Sequence, residues 1–148
     1  MSLENLLGIS LEAIEPDSAT IARLLLAAER NIADSHVEVI SSETRFDAAY
    51  KAIMQLANAA LQANGYRTLT SKPGHHRTLI QVLGQTLGLD AQAVILLDAL
   101  RKQRNVADYT GDPVPTSAAE DCVNQAKMLL QSVRQWLDEN KPELLPGT

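Results

Sequence analysis

The chain has a single cysteine, Cys122, in 148 residues. One cysteine closes no internal disulfide, so a buried core and not a covalent staple must hold the fold. The plainer reading of Cys122 is a small buried hydrophobe. Aromatic residues are nearly as scarce: Phe46, Tyr50, Tyr66, Tyr109 and Trp136 are the full set. The core must therefore be built from leucine, isoleucine, valine and alanine. Of these, alanine and leucine favour helix, and the clusters of β-branched and aromatic residues that favour strands are few. Apolar runs are short, as in Ala93-Val94-Ile95-Leu96-Leu97, and too short to span a bilayer. No basic stretch precedes an apolar one at the N-terminus, so no secretory leader is expected. These absences lead us to expect a cytoplasmic protein with no membrane partner.

The seven glycines are scattered as helix stops and do not gather into a phosphate-binding loop. Cys-x-x-Cys, His-Glu-x-x-His and Gly-x-Ser-x-Gly motifs are all missing. Neither a metal nor a cofactor is expected.

The length suits one domain, and 45% hydrophobic with 21% charged residues is an ordinary globular composition. The net charge of −5 argues against a general nucleic-acid coat. The charge is uneven, however. From Gly65 to Ala107 six basic residues (Arg67, Lys72, Arg77, Arg101, Lys102, Arg104) face two acidic ones (Asp90, Asp98). That stretch is +4, which leaves −9 elsewhere. It reads either as a site for an anionic ligand or as a solvated face.

Residues 1–16 carry Leu3, Leu6, Leu7, Ile9 and Leu11 up to Pro16, and are expected to form a short helix or a docking arm. Asp17 or Ser18 is a candidate N-cap. Ile21, Leu24, Leu25, Ala28 and Ile32 then keep one helical face, predicting a helix over 18–35. After a cap at Ser41 or Ser42, Phe46, Ala49, Tyr50, Ile53, Ala57, Ala60 and Leu61 form a second stripe that Asn64-Gly65 ends. Residues 66–74 read as a loop closed by the Ser71-Lys72-Pro73-Gly74 turn. A shorter helix follows with Leu79, Val82, Leu83 and Leu87 on one face. Asp90 caps a fourth helix, about 91–108, whose stripe is Ala93, Leu96, Leu97 and Leu100. A loop over 110–115 leads to a capping box, Ser117 with Glu120, and a last helix with Cys122, Ala126, Leu129, Leu130, Val133 and Leu137 inward. The tail 141–148 is expected to fray. The reading is thus one domain, 1–148, of all-α class: a five-helix antiparallel bundle. The long apolar faces of the second and fifth helices suit a homodimer.

The most informative local feature is the end of the fourth helix, where the core stripe continues into Arg104 and Asp108. Arg101, Arg104 and Asp108 lie at i, i+3 and i+7 on one face. Two adjacent guanidiniums repel unless an anion sits between them, and a phosphate suits arginine's paired donors. Asn105 adds a neutral donor and acceptor, and Tyr109 a hydroxyl. The plainer alternative is an Arg104–Asp108 pair tying off the helix end. The second cluster is Pro73-Gly74-His75-His76-Arg77. Adjacent histidines point apart on a helix, so one job for both is not expected. A hairpin of the third and fourth helices would bring His75 or His76 towards Arg104 and Tyr109. A histidine there could move a proton near neutral pH, or simply cap the helix and face solvent.

From Ala19 to Leu137 the chain resembles the HEPN superfamily of helical nucleotide-binding proteins. The resemblance rests on Arg45-Phe46-Asp47-Ala48-Ala49-Tyr50, Pro73-Gly74-His75-His76 and Arg104-Asn105-x-x-Asp108-Tyr109, in that order. It implies a helical bundle that dimerises. It also implies either a metal-independent ribonuclease of toxin–antitoxin, phage-defence or RNA-processing systems, or a non-catalytic partner beside a minimal nucleotidyltransferase. The family's ribonucleases place a histidine after an arginine with four to six residues between them. Here those positions hold Tyr109, Thr110 and Gly111 after Arg104, and Val106, Ala107 and Asp108 after Arg101. An aspartate is ionised at neutral pH and a tyrosine is a poor base. The resemblance therefore implies a non-catalytic module that binds RNA, a nucleotide or a protein partner. Its ligands would meet Arg101, Arg104, Asn105, Asp108 and His75. The alternatives are a degenerate endoribonuclease using Arg104, Tyr109 and His76, and a purely structural helical module.

Overall fold

A computed structural model describes residues 2–71 and 73–145. Lys72 and the end of the expected tail, 146–148, lie outside the described residues. The architecture is an all-α bundle with one two-stranded ribbon. Four long helices dominate: α1 (Ser18–Ser35), α2 (Ser42–Ala63), α5 (Ala91–Thr110) and α6 (Thr116–Asn140). Between α2 and α5 lie two short helices, α3 (His75–Gln81) and α4 (Leu83–Thr86).

The helix starts follow from their caps. Asp17 accepts from the Ala19 amide, Ser41 from Thr44 and Asp90 from Ala93, each satisfying an orphan N–H of the first turn. The expected capping box at Ser117 is not formed. Helix α6 begins one residue earlier, at Thr116 after Pro115, and its first turn has no side-chain cap. The third helix is not continuous either. It breaks at Val82, whose backbone sits at φ −84°, ψ 0°, at the edge of the helical region.

Helix α2 is the central element and packs against α1, α6, α3 and α5. Ala49, Ala52, Ala57, Ala59, Ala60 and Ala63 are all buried along it, and their small side chains let neighbouring helices approach closely. Phe46, Ile53, Leu56 and Leu61 are fully buried between them. Cross-helix contacts fix the directions. Asn31 Nδ2 donates to Gln55 Oε1 and Arg45 Nε donates to the Ser35 carbonyl, so α1 runs antiparallel to α2. The Arg45 bond also explains a buried arginine, because it satisfies an end carbonyl of α1. Ser42 meets Thr116, and Cys122 Sγ lies 3.7 Å from the Phe46 carbonyl, so α6 starts at the same end as α2. Arg104 of α5 lies beside Asp47 of α2, so the long helices alternate in direction.

The N-terminal arm combines its two expected forms, and two other regions depart from expectation. The N-terminal arm forms a 3-10 turn (Leu3–Leu6) and then strand β1 (Leu11–Ala13), and Leu11 is fully buried. Its partner is β2 (Tyr66–Thr68), inside the segment expected to be a loop; the strands pair antiparallel with Leu11 opposite Thr68. The tail, as far as it is described, does not fray: Pro142–Leu144 is a 3-10 turn and Leu144 is buried. The apolar faces of α2 and α6 are consumed in the core. The outward apolar stripe belongs to α5, which exposes Ile95, Val106 and Tyr109, and also Leu96, expected to point inward. Among the described residues no helix is long and apolar enough to cross a membrane.

Candidate functional site

Asp47, Lys51, Met54 and Asn58 recur at i, i+4, i+7 and i+11 and so share one side of α2. They line a cleft of about 550 Å³. The rest of its lining comes from Tyr50 and Gln55 of α2, Thr68 and Thr70 at the end of the ribbon, His75, His76 and Leu79 of α3, and Arg104 of α5. The turn before α3 needs Gly74, which starts the helix from the left-handed region at φ 81°. That turn aims both histidines at the cleft.

Tyr50 connects the three helices. The Arg104 guanidinium carbon stands 4.9 Å from its ring centroid, a cation–π arrangement. Its hydroxyl lies 3.5 Å from His76 Nδ1. Burial raises the Tyr50 phenol above its ordinary value, so it stays protonated at neutral pH. Burial lowers His76 below the usual imidazole value, and His75, Arg104 and Arg101 push in the same direction. A neutral His76 can accept from the phenol at Nδ1 and leave its other nitrogen to carry the ring proton. The His75 and His76 rings meet edge to face, with centroids 4.7 Å apart.

Arg104 is held without being used up. Its side chain is 34% exposed, and its nitrogens stand 3.8 Å from Asp47 Oδ1 and 3.8 Å from Asp108 Oδ2. Charge-assisted hydrogen bonds are about 2.7–2.9 Å, so these are loose ion pairs that leave the guanidinium's donors available. Burial raises the Asp47 carboxyl above its ordinary value, against the opposing pull of Arg104.

The other expected site residues separate into those near the cleft and those away from it. His75 and His76 line it with Arg104. Arg101 does not: its Nε donates to Asp98 Oδ1 at 2.8 Å, which supplies from within the helix the anion that two adjacent arginines require. That bond is also the main reason the Asp98 carboxyl is held below its ordinary value. Asp108 reaches Arg104 but stays exposed, and Asn105 is exposed on α5. Tyr109 is 93% exposed and does not line the cleft. Five residues on from Arg104 is about 140° around a helix of 3.6 residues per turn, which turns Tyr109 away. Sequence reasoning did not assign Tyr50, Asp47 and Lys51 to the site. For Asp47 and Lys51 a signal was present, the polar stripe beside the apolar one on α2.

Cys122 is fully buried, and burial pushes its thiol up to about 12. It takes no part in the cleft. Among the described residues no group of three or more histidine, cysteine, aspartate or glutamate side chains is arranged to hold a metal ion. No protein-family model matches the chain, and a search of curated proteins finds no similar sequence.

Proposed function

We propose that the chain is a HEPN-like helical protein that binds a nucleotide or an RNA phosphate in the α2–α3–α5 cleft without cleaving it. One observation carries this reading: a part-buried Arg104 guanidinium rests on Tyr50, makes only 3.8 Å ion pairs among the described residues, and opens onto a cleft that also holds Lys51, His75 and His76. A phosphate takes the two parallel donors of arginine. Met54 and Leu79 give the same cleft an apolar surface for a base. Titration of purified protein with a nucleoside 5′-monophosphate tests the reading. Saturable binding to wild type that Arg104→Ala weakens by about 10-fold or more is the expected result. Binding unchanged by that substitution refutes the assignment.

A second reading has one specific support. A neutral imidazole beside an arginine, here His76 in the cleft with Arg104, is the pair a metal-independent endoribonuclease needs for proton transfer and phosphate stabilisation. Incubation of wild type and Arg104→Ala with total RNA in EDTA separates the two: intact RNA in both supports the binding module, and cleavage by wild type alone the nuclease. Within the favoured reading, we assign homodimer formation to the exposed α5 stripe. A monomeric wild-type protein in sedimentation analysis rejects that assignment.

A further inference from the structure

The cleft does not end at Lys51. A second groove, between α1 and α2, shares Lys51 and Gln55 with it and adds Arg30, Asn31 and Asp34. A third groove, along α1, shares Ala27 and Arg30 with the second and adds Arg23 and Leu26. The three grooves are therefore continuous through common lining residues. Four cations, Arg104, Lys51, Arg30 and Arg23, follow one another along this path on a chain whose net charge is −5.

The α1 segment of the path is a regular feature. Arg23, Ala27 and Arg30 stand at i, i+4 and i+7, so both arginines lie on one face, about 10 Å apart along the axis. Among the described residues neither Arg30 nor Lys51 enters an ion pair, and Arg23 donates only to the Thr20 hydroxyl, at 3.1 Å. Arg30 and Lys51 thus have no directly paired acid, while Arg23 feels Asp17 only across the Thr20 hydroxyl, which donates to that carboxylate. Asp34, at the edge of the second groove, is the only acid lining that groove.

We infer that these grooves form one binding track for single-stranded nucleic acid, with the cleft at Arg104 as its inner end. The inference rests on the phosphate-binding reading of the cleft and extends it from one phosphate to several. Charge complementarity identifies the ligand as a chain of phosphates. The path runs from inside a cleft out onto an exposed helix face. A flexible single strand can follow it, whereas a duplex, stiff over about 50 nm, cannot. Met54 and Leu79 in the cleft, and exposed Leu26 in the third groove, line the same grooves as the cations and give bases an apolar surface to rest on.

The test compares a fluorescent uridine dinucleotide with a uridine dodecanucleotide on wild type, Arg104→Ala and an Arg23→Ala/Arg30→Ala double variant, across a range of salt. Each phosphate contact on a single strand contributes about −0.7 to the slope of log affinity against log salt. Four contacts predict about −2.8 for the dodecamer, and the double variant about −1.4. The dodecamer is expected to bind wild type at least tenfold tighter than the dinucleotide, and the double variant to lose that advantage while keeping dinucleotide affinity. Equal affinity for both lengths, unmoved by the double substitution, overturns the track and leaves the cleft reading standing. Failure of both oligonucleotides to bind wild type overturns the track and the cleft reading together.

Discussion

Replacing Arg104 with alanine should separate the site's binding role from its structural one. The structural loss is small. The two ion pairs are 3.8 Å contacts on a side chain that is 34% exposed, and such pairs are worth about 0–1 kcal/mol. The cation–π contact with Tyr50 adds about 0.5–1 kcal/mol. Urea denaturation should therefore place the variant within about 2 kcal/mol of wild type, with the slope unchanged. The binding loss is larger, because a hydrogen bond to a charged group contributes about 1.5–3 kcal/mol, roughly 10- to 150-fold in affinity. Two neighbouring groups should report the change. Arg104 helps lower His76 and opposes the rise of Asp47, so removing it should raise both in an NMR titration. Calorimetry with a nucleoside monophosphate reads the affinity on the same samples. A variant that is as stable as predicted, shows both shifts and still binds as wild type does would refute the claim that Arg104 holds the phosphate.

The folded His76 lies below its unfolded value near 6.5. Its contribution to stability should be complete above pH 6.5 and lost as pH falls through the folded value, a loss that His76→Gln should remove from a pH series of denaturation midpoints. Cys122, with its thiol pushed up to about 12 and no exposure, should resist a thiol reagent at pH 8 until the chain unfolds. Phe46→Ala should cost about 3–5 kcal/mol by chemical denaturation, because it empties a fully buried site between α2 and α6. Gly65→Ala should cost about 1–2 kcal/mol, because φ at that position is 90° and an added Cβ would sit 3.5 Å from the Ile14 carbonyl.

The long helices were legible because their signals are local. Asp17, Ser41 and Asp90 cap the helices they were expected to cap, and the stripes from Ile21 to Ile32, except half-buried Leu24, and from Phe46 to Leu61 are buried as their period implies. The ribbon was not legible. Each strand has three residues, too few for an alternating pattern, and each exists through its pairing with the other. The capping box failed for the opposite reason: a good local motif lost to a helix that begins one residue before it. In the site, Arg104 stood out because it interrupts an apolar stripe, and the turn before His75 was marked by Gly74. Tyr50 was hidden, since the spacing 46, 49, 50, 53 reads the same whether the tyrosine is wholly interior or reaches a cleft with its hydroxyl. Arg101 was overassigned because Asp98, three residues before it, was counted as charge and not as a partner.

The pairing of Leu11 with Thr68 bears on how the site is kept in shape. Thr68 and Thr70 form part of the cleft wall, yet the segment that carries them is held to the fold partly by a strand more than fifty residues earlier in the chain. Two three-residue strands make a small cooperative unit, which can open well below the free energy of global unfolding. Such an opening would release the cleft wall and the N-terminal arm together, so exchange of the Leu69 amide, which donates to the Ser10 carbonyl, should follow that of the Ile14 amide, which donates to the Gly65 carbonyl. A cut after Ala13 that spares every helix would still remove one side of the site's support. The arm is thus a remote clasp on the cleft wall, and displacing it should loosen the segment that carries Thr68 and Thr70.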